Sequence, residues 1–110
     1  MASRTIVFIT GGNNGIGYEA VKALMQSSKA YEVLMGSRST DKAKVAIDTL
    51  HKDVPDTKST VAPIQVDLDS DQSIESAFGQ VKAKHDRIDV LINNAGISPF
   101  RLTFDVMANV

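Results

Sequence analysis

Glycine and asparagine dominate one short stretch near the start of the chain, Gly11-Gly12-Asn13-Asn14-Gly15-Ile16-Gly17. The preceding run, residues 5–10, has the continuous apolar and β-branched character of a buried strand, and an amphipathic helix pattern follows it. Glycines let the backbone turn tightly beside phosphates, and the first turn of a helix offers free N–H groups to an anion. This order of strand, glycine turn and helix predicts a site for a nucleotide pyrophosphate. The alternative interpretation is a tight turn without a ligand.

A serine and an arginine, Ser37 and Arg38, follow the next strand-like run, 20 residues after Gly17. In a dinucleotide site that prefers NAD, an acidic residue at this position bonds the ribose hydroxyls, and its charge would repel a 2′-phosphate. Arginine instead makes charge-assisted contacts to phosphate. The pair therefore predicts NADP(H) rather than NAD(H) as the cofactor. The alternative is a solvated arginine at the start of a loop.

Strand-like and helix-like patterns alternate along the chain, which is typical of βαβ units and a mostly parallel sheet. Strands are predicted at residues 5–10, 31–36, 61–66 and 88–93, helices at 16–27, 41–52 and 71–85, and a loop with a weak helical pattern after residue 95. Because parallel crossovers are right-handed, helices are expected on both faces. The prediction is a Rossmann-type doubly wound α/β fold with strand order 3-2-1-4. Residues 1–110 would form a single NAD(P)-binding domain, incomplete because it is truncated after the fourth strand.

Composition excludes several classes of protein. The net charge of −1 provides no field that would favour nucleic acid or an anionic membrane, and the absence of cysteine excludes disulfides and thiolate chemistry. No apolar run approaches the length of a membrane span. No metal site is predicted, because Asp67-x-Asp69-x-Asp71 lacks the glycine and the glutamate of a calcium loop. We expect a soluble, cytoplasmic protein.

Four short motifs occur in one register and together resemble the N-terminal part of a classical short-chain dehydrogenase/reductase. They are Thr10-Gly11-x-x-x-Gly15-Ile16-Gly17, Ser37-Arg38, Asp67-Leu68 and Asn93-Asn94-Ala95-Gly96, and they cover about residues 4–98. Within that family, Arg38 makes the chain similar to the NADPH-dependent carbonyl and keto reductases. The resemblance implies an oxidoreductase that uses NADP(H) to interconvert the carbonyl and alcohol forms of a small molecule.

The resemblance also implies roles for individual residues. Those expected to wrap the pyrophosphate and the adjoining ribose are Gly11, Asn13, Gly15, Ile16 and Gly17. Ser37 and Arg38 would hold the 2′-phosphate, and Asp67 and Leu68 would contact the adenine. The residues expected around the central sheet and the nicotinamide-side ribose are Asn93, which tightens the sheet, and Asn94, Ala95 and Gly96. NADP-preferring members often have a basic residue where this chain has Asn14, so Arg38 is expected to carry the preference largely alone.

The family's catalytic residues are expected beyond the printed sequence. By resemblance, a tyrosine protonates the developing alkoxide, a lysine four residues later lowers its pKa, and a serine orients the substrate, all after the fourth strand. Tyr18 and Lys22 have the same Y-x-x-x-K spacing, but they fall on the first predicted helix, where a chance match is the simpler interpretation. Asn109 is the one candidate for a catalytic role, because some members hold a proton-relay water with an asparagine in that region.

Two alternatives remain open at this point. The first is a non-catalytic nucleotide-binding module, or an inactive truncated product. The second is an enzyme completed by another chain, which would supply the missing strands. The predicted fourth strand would present an apolar edge at residues 90–92, through which the chain could pair with a second copy as a homo-oligomer.

Overall fold

The computed structural model describes residues 4–13, 15–85, 87–93 and 101–103, with the backbone alone for Asn93 and for 101–103. The strands are β1 (Thr5–Thr10), β2 (Tyr31–Ser37), β3 (Thr60–Gln65), β4 (Val90–Asn93) and β5 (Arg101–Thr103), and the helices are α1 (Gly15–Gln26), α2 (Thr40–Asp53) and α3 (Asp71–Lys84). The elements predicted from the sequence are confirmed to within two residues at each end. No helix in the described part of the chain is both long and apolar enough to cross a bilayer.

The strands form one sheet in the order β3-β2-β1-β4-β5. β1 pairs in parallel with β2 on one side and with β4 on the other, and β2 pairs in parallel with β3. The predicted order 3-2-1-4 is therefore confirmed. Because the chain passes from β3 across β2 and β1 to reach β4, the strand order reverses between β1 and β4. Ligands of such sheets bind outside the carboxyl ends of the strands at this reversal.

The outer edge of β4 differs from the expectation. β5 pairs with it in the antiparallel direction, with Val90 opposite Thr103 and Ile92 opposite Arg101. The prediction that this edge is exposed is therefore wrong along Val90–Ile92, and we propose no homo-oligomer through it. The strand was missed because three residues are too few to show an alternating pattern.

Apolar layers lie on both faces of the sheet, as predicted. On one face, Val21 of α1 and Leu50 of α2 pack with Met35 of β2 in a buried cluster. On the other face, Val81 of α3 packs in a second cluster with Phe8 of β1. Alternate residues of the central strands supply the two layers, so the sheet is buried from both sides. Its carboxyl-end loops are consequently attached to a rigid support.

An aspartate–arginine clasp joins β1 to the segment before β4 at the end of the sheet opposite those loops. Asp89 accepts the Ile6 N–H at 2.7 Å through Oδ2 and the Arg87 Nε–H at 2.7 Å through Oδ1. The Arg87 guanidinium also donates to the Arg4 carbonyl at 2.9 Å. The clasp therefore fixes where β4 begins beside β1.

We expect Asp89→Ala to lower the free energy of unfolding by about 1–3 kcal/mol, because the Ile6 amide and the Arg87 guanidinium both lose an ionised acceptor. Denaturant unfolding followed by circular dichroism measures this change. Asp48→Ala, at an exposed position of α2, is the control. A loss no greater than that of the control would show that the clasp does not stabilise the sheet.

Candidate functional site

A cleft of about 510 Å³ lies at the carboxyl ends of β1, β2 and β3. Its walls come from the turn after β1, the turn after β2 and the segment after β3. It brings together six of the residues that the sequence singled out: Gly11, Asn13, Ser37, Arg38, Asp67 and Leu68. Residues separated by more than 50 positions in the sequence thus share one surface, because parallel strands end at the same edge of a sheet.

The turn after β1 depends on glycine at several positions. Gly11 and Gly15 both have positive φ angles, 65° and 57°, which side chains with a Cβ rarely adopt. The Gly12 N–H donates to the Gly36 carbonyl at 3.2 Å, which ties the turn to the end of β2. A Cβ on Gly12 would lie 3.0 Å from the Met35 Cγ atom, so the turn also packs directly on the core. Sequence reasoning did not assign a role to Gly12 or Gly36.

Gly15, Ile16 and Gly17 form the first turn of α1 and are not part of the cleft lining. Gly17 is buried, whereas Ile16 is 81% exposed, which is unusual for an isoleucine in a helix. The first turn of α1 contains no acidic residue, so no carboxylate of this turn competes with a bound anion for the positive end of the helix dipole.

The turn after β2 is held by hydroxyl groups. Ser37 is buried, and its hydroxyl donates to the Ser39 carbonyl at 3.0 Å while accepting the Ser39 N–H at 3.2 Å. Gln65 of β3 donates through Nε2 to the Arg38 carbonyl at 3.3 Å. The Arg38 side chain is exposed at the wall of the cleft. The backbone of this turn is thus fixed while the guanidinium faces solvent.

Lys42 is a second cation in the cleft lining, and sequence reasoning missed it. Ser39 caps α2 by accepting the Lys42 N–H at 3.2 Å, which places Lys42 in the first turn of the helix. Because α2 starts directly after β2, its first turn lies at the same edge of the sheet as Arg38. The sequence signal for Lys42 was its position three residues after Ser39, a residue type that often caps helices.

The segment after β3 supplies an acidic wall. The Asp67 N–H donates to the Ser73 hydroxyl at 2.8 Å, and Asp67 Oδ1 accepts the Asp69 N–H at 3.0 Å. Val66 is joined to β2 through its N–H, which donates to the Ser37 carbonyl at 2.9 Å. One oxygen of the Asp67 carboxylate is therefore already bonded to the backbone, which fixes the orientation of the group.

Tyr18 and Lys22 lie on α1 and are not among the residues that line the cleft. Burial raises the pKa of Tyr18, and so does Asp53, by its charge and by a hydrogen bond. Lys22 Nζ lies 3.7 Å from Asp53 Oδ2. An activated acid or base tyrosine needs its pKa shifted towards neutrality, which is the opposite direction.

Several predicted site residues lie outside the described part of the chain: Asn94, Ala95, Gly96 and Asn109. For Asn93 only the backbone is described, at the end of β4, where it pairs with Thr10 of β1. Of the residues predicted for the nicotinamide side of the site, the structure therefore describes only the backbone of Asn93.

The family model for short chain dehydrogenase matches residues 5–109, nearly the whole chain. This chain belongs to the short-chain dehydrogenase family. The resemblance carried by the four sequence motifs is thereby confirmed, together with the Rossmann-type fold that it implies.

Individual proteins of known sequence or structure are similar to most of this chain. Short-chain dehydrogenase/reductase tropE of Talaromyces stipitatus is 42% identical over 98 residues, which cover 89% of this chain and 37% of that protein. The NADPH-bound carbonyl reductase from chicken fatty liver is 25% identical with a TM-score of 0.70, over 89% of this chain and 36% of that one. The N-domain of a bacterial malonyl-CoA reductase, solved with NADP, is 32% identical with a TM-score of 0.75, over 84% of this chain and 16% of that one. This chain spans about a third of the length of the curated relatives that it matches first.

Proposed function

We propose that the cleft binds the adenosine half of NADP(H), and that the protein is an NADP(H)-dependent oxidoreductase of a small carbonyl or alcohol. The observation that carries the proposal is a pair of cations, Arg38 and Lys42, beside a serine at the end of β2. The cleft lining has a serine, Ser37, where a carboxylate would indicate NAD. The chicken carbonyl reductase and the malonyl-CoA reductase domain, which are similar in structure, were solved with NADPH and NADP bound. Residues 1–110 would then belong to a single cofactor-binding domain.

The pyrophosphate would lie between the glycine turn and the start of α1. Gly11 and Asn13 would lie beside it, and the positive end of the α1 dipole would add attraction. Gly15 and Gly17 allow the helix to begin close to the phosphates. The exposed side chain of Ile16 would be covered by the cofactor, which accounts for an apolar group standing 81% exposed at this position.

The adenosine would lie between the second and third walls of the cleft. Arg38 and Lys42 would neutralise the 2′-phosphate, which is largely a dianion near neutral pH. Asp67 would accept a hydrogen bond from the adenine amino group through the oxygen that the Asp69 amide leaves free, and Leu68 would contact the ring.

The remaining roles concern the end of the cofactor that reacts. When bound, NADPH supplies a hydride to the carbonyl carbon of a substrate, and the described residues of this chain bind and orient it. Asn93 would tighten the sheet, while Asn94, Ala95 and Gly96 would line the ribose on this side. Asn109 would hold a proton-relay water.

Calorimetric titration of the chain with NADPH and with NADH tests the proposal. We expect NADPH to bind at least about tenfold more tightly, since the extra phosphate meets two cations. Equal affinities, or no heat with either dinucleotide, would contradict the proposal. NADPH oxidation with a panel of small ketones and aldehydes tests the oxidoreductase further. Turnover would support it, whereas binding without turnover would show cofactor binding by residues 1–110 alone, because the family's catalytic tyrosine and lysine are expected beyond them.

We expect Lys42→Ala to weaken NADPH binding by about 1.5- to fivefold, because an exposed ion pair contributes about 0.2–1 kcal/mol. NADH binding should change by less than about twofold, because NADH lacks the phosphate that Lys42 would pair with. Lys44→Ala is the matched control, because Lys44 is also exposed on α2 but does not line the cleft. Calorimetric dissociation constants measure both. An equal loss in the two variants would rule out a local role for Lys42.

A further inference from the structure

The proton of the Ser37 hydroxyl is already donated before any ligand binds. The hydroxyl donates its only proton to the Ser39 carbonyl at 3.0 Å and accepts the Ser39 N–H at 3.2 Å. The residue lines the cleft but is only 5% exposed. A phosphate dianion only accepts hydrogen bonds, so it can bond to a hydroxyl only if that hydroxyl has a proton to give. A direct bond from Ser37 to the 2′-phosphate would require breaking the bond to Ser39.

A second side chain acts on the same turn from the neighbouring strand. Gln65 of β3 donates through Nε2 to the Arg38 carbonyl at 3.3 Å. The peptide of Arg38 is therefore held by Gln65 on one side and by the Ser37–Ser39 turn on the other. Ser39 in turn caps α2 and sets the position of Lys42. Both cations of the cleft thus depend on one small hydrogen-bonded turn.

We propose that Ser37 and Gln65 are positioning residues, which give the site its preference for NADP(H) by fixing the backbone from which Arg38 extends. The inference rests on the proposed function, since it concerns how the same site recognises the 2′-phosphate. Its physical basis is preorganisation. A long exposed side chain loses conformational freedom when it binds phosphate. A fixed backbone limits the conformations of the free side chain, so fewer are lost on binding and the affinity is higher.

A double-mutant cycle separates positioning from direct contact. We expect Ser37→Ala to raise the dissociation constant of NADPH by about three- to tenfold in the wild-type background, and by less than about twofold in the Arg38→Ala background. The affinity for NADH should stay within about twofold throughout, which a general loss of folding would not produce. An equal fold-change in the two backgrounds would mean that Ser37 contacts the phosphate independently, and would overturn the inference.

Gln65 has a matched control in the same chain. Gln65→Met keeps the length of the side chain and removes the donor, so NADPH binding should weaken by about two- to fivefold, with NADH unaffected. Gln80 donates through Nε2 to the Ser76 hydroxyl at 3.5 Å on α3, away from the cleft, so Gln80→Met should leave both affinities unchanged. Equal effects of the two methionine variants would overturn the role of Gln65.

Hydrogen exchange at the Ser39 amide tests the turn without any cofactor. Ser37→Ala should speed exchange of this amide by at least about tenfold, because its acceptor is lost. Ser27→Ala is the control, because Ser27 accepts the Lys29 N–H at 3.1 Å across the same two-residue span elsewhere in the chain. This variant should leave exchange at the Ser39 amide unchanged. If the wild type binds NADPH but Ser37→Ala leaves exchange at the Ser39 amide unchanged, the inference is overturned. Failure of the wild type to bind NADPH would refute the proposed function, whatever the exchange rate.

Discussion

Arg38→Ala is expected to weaken NADPH binding by about 10- to 150-fold, since hydrogen bonds to a charged group contribute about 1.5–3 kcal/mol. NADH lacks the 2′-phosphate, so its dissociation constant should change by less than about twofold. The effect should exceed that of Lys42→Ala, because a guanidinium can donate two parallel hydrogen bonds to one phosphate and an ammonium cannot. Calorimetry with both dinucleotides measures the difference directly.

Arg38→Lys is the informative companion of that variant. It retains the charge but loses the planar fork, so its affinity for NADPH should fall between those of the wild type and Arg38→Ala. Losses of equal size for NADPH and NADH in Arg38→Ala would show that Arg38 supports the fold of the cleft and does not recognise the phosphate.

Gly36→Ala is expected to lower the free energy of unfolding by about 1–3 kcal/mol, and each kcal/mol should lower the melting temperature by about 4–8 °C. The added Cβ would lie 2.9 Å from Phe8 Cε1, 3.0 Å from Val66 Cγ1 and 3.1 Å from the Ile9 carbonyl oxygen. The last of these is backbone of the central strand, which cannot move aside cheaply. Because the Gly36 carbonyl accepts the Gly12 N–H, the shift should also disturb the glycine turn and weaken NADPH binding.

Gly79→Ala is the matched control for this substitution. Gly79 lies in the interior of α3, and a Cβ there would meet nothing within 4 Å. Alanine in that position should stabilise the protein by about 0.5–1 kcal/mol, since glycine is a poor helix former. Thermal unfolding of both variants tests the contrast. A Gly36→Ala protein as stable as the wild type would contradict the close packing of Gly36 against β1 and Val66.

The sequence was sufficient to predict most of the fold, because burial on both faces makes the central strands continuous apolar runs. β1 and β2 are of this kind, and their bounds were predicted to within one residue. α2 and α3 were equally clear, since each repeats apolar residues at helical spacing on one face. β5 could not be predicted because its formation depends on an edge that β4 presents to it, and three residues have no local signal of their own.

The site was predictable where a residue type has a specific chemical reason to follow a strand. Gly11, Arg38 and Asp67 were found in this way, and the structure brings all three into one cleft. Lys42 was missed because its relevance depends on where α2 begins relative to β2, which is a three-dimensional fact.

The partner of a hydroxyl is harder still to predict. Ser37 was assigned to the phosphate by the family resemblance, and nothing in the sequence indicates that its proton is already given to Ser39. Gly36 illustrates the same limit, since its need for glycine arises from the ring of Phe8 on the neighbouring strand.

The central claim is that the cleft at the carboxyl ends of β1, β2 and β3 binds a 2′-phosphorylated adenosine. The most direct test is a titration of isotopically labelled chain with 2′,5′-ADP, followed by the chemical shifts of its backbone amides. We predict saturable shifts concentrated at Gly12, Asn13, Arg38 and Asp69, with 5′-AMP, which lacks only the 2′-phosphate, producing clearly weaker binding at the same amides. Shifts confined to other surfaces, or equal affinity for the two nucleotides, would contradict the claim.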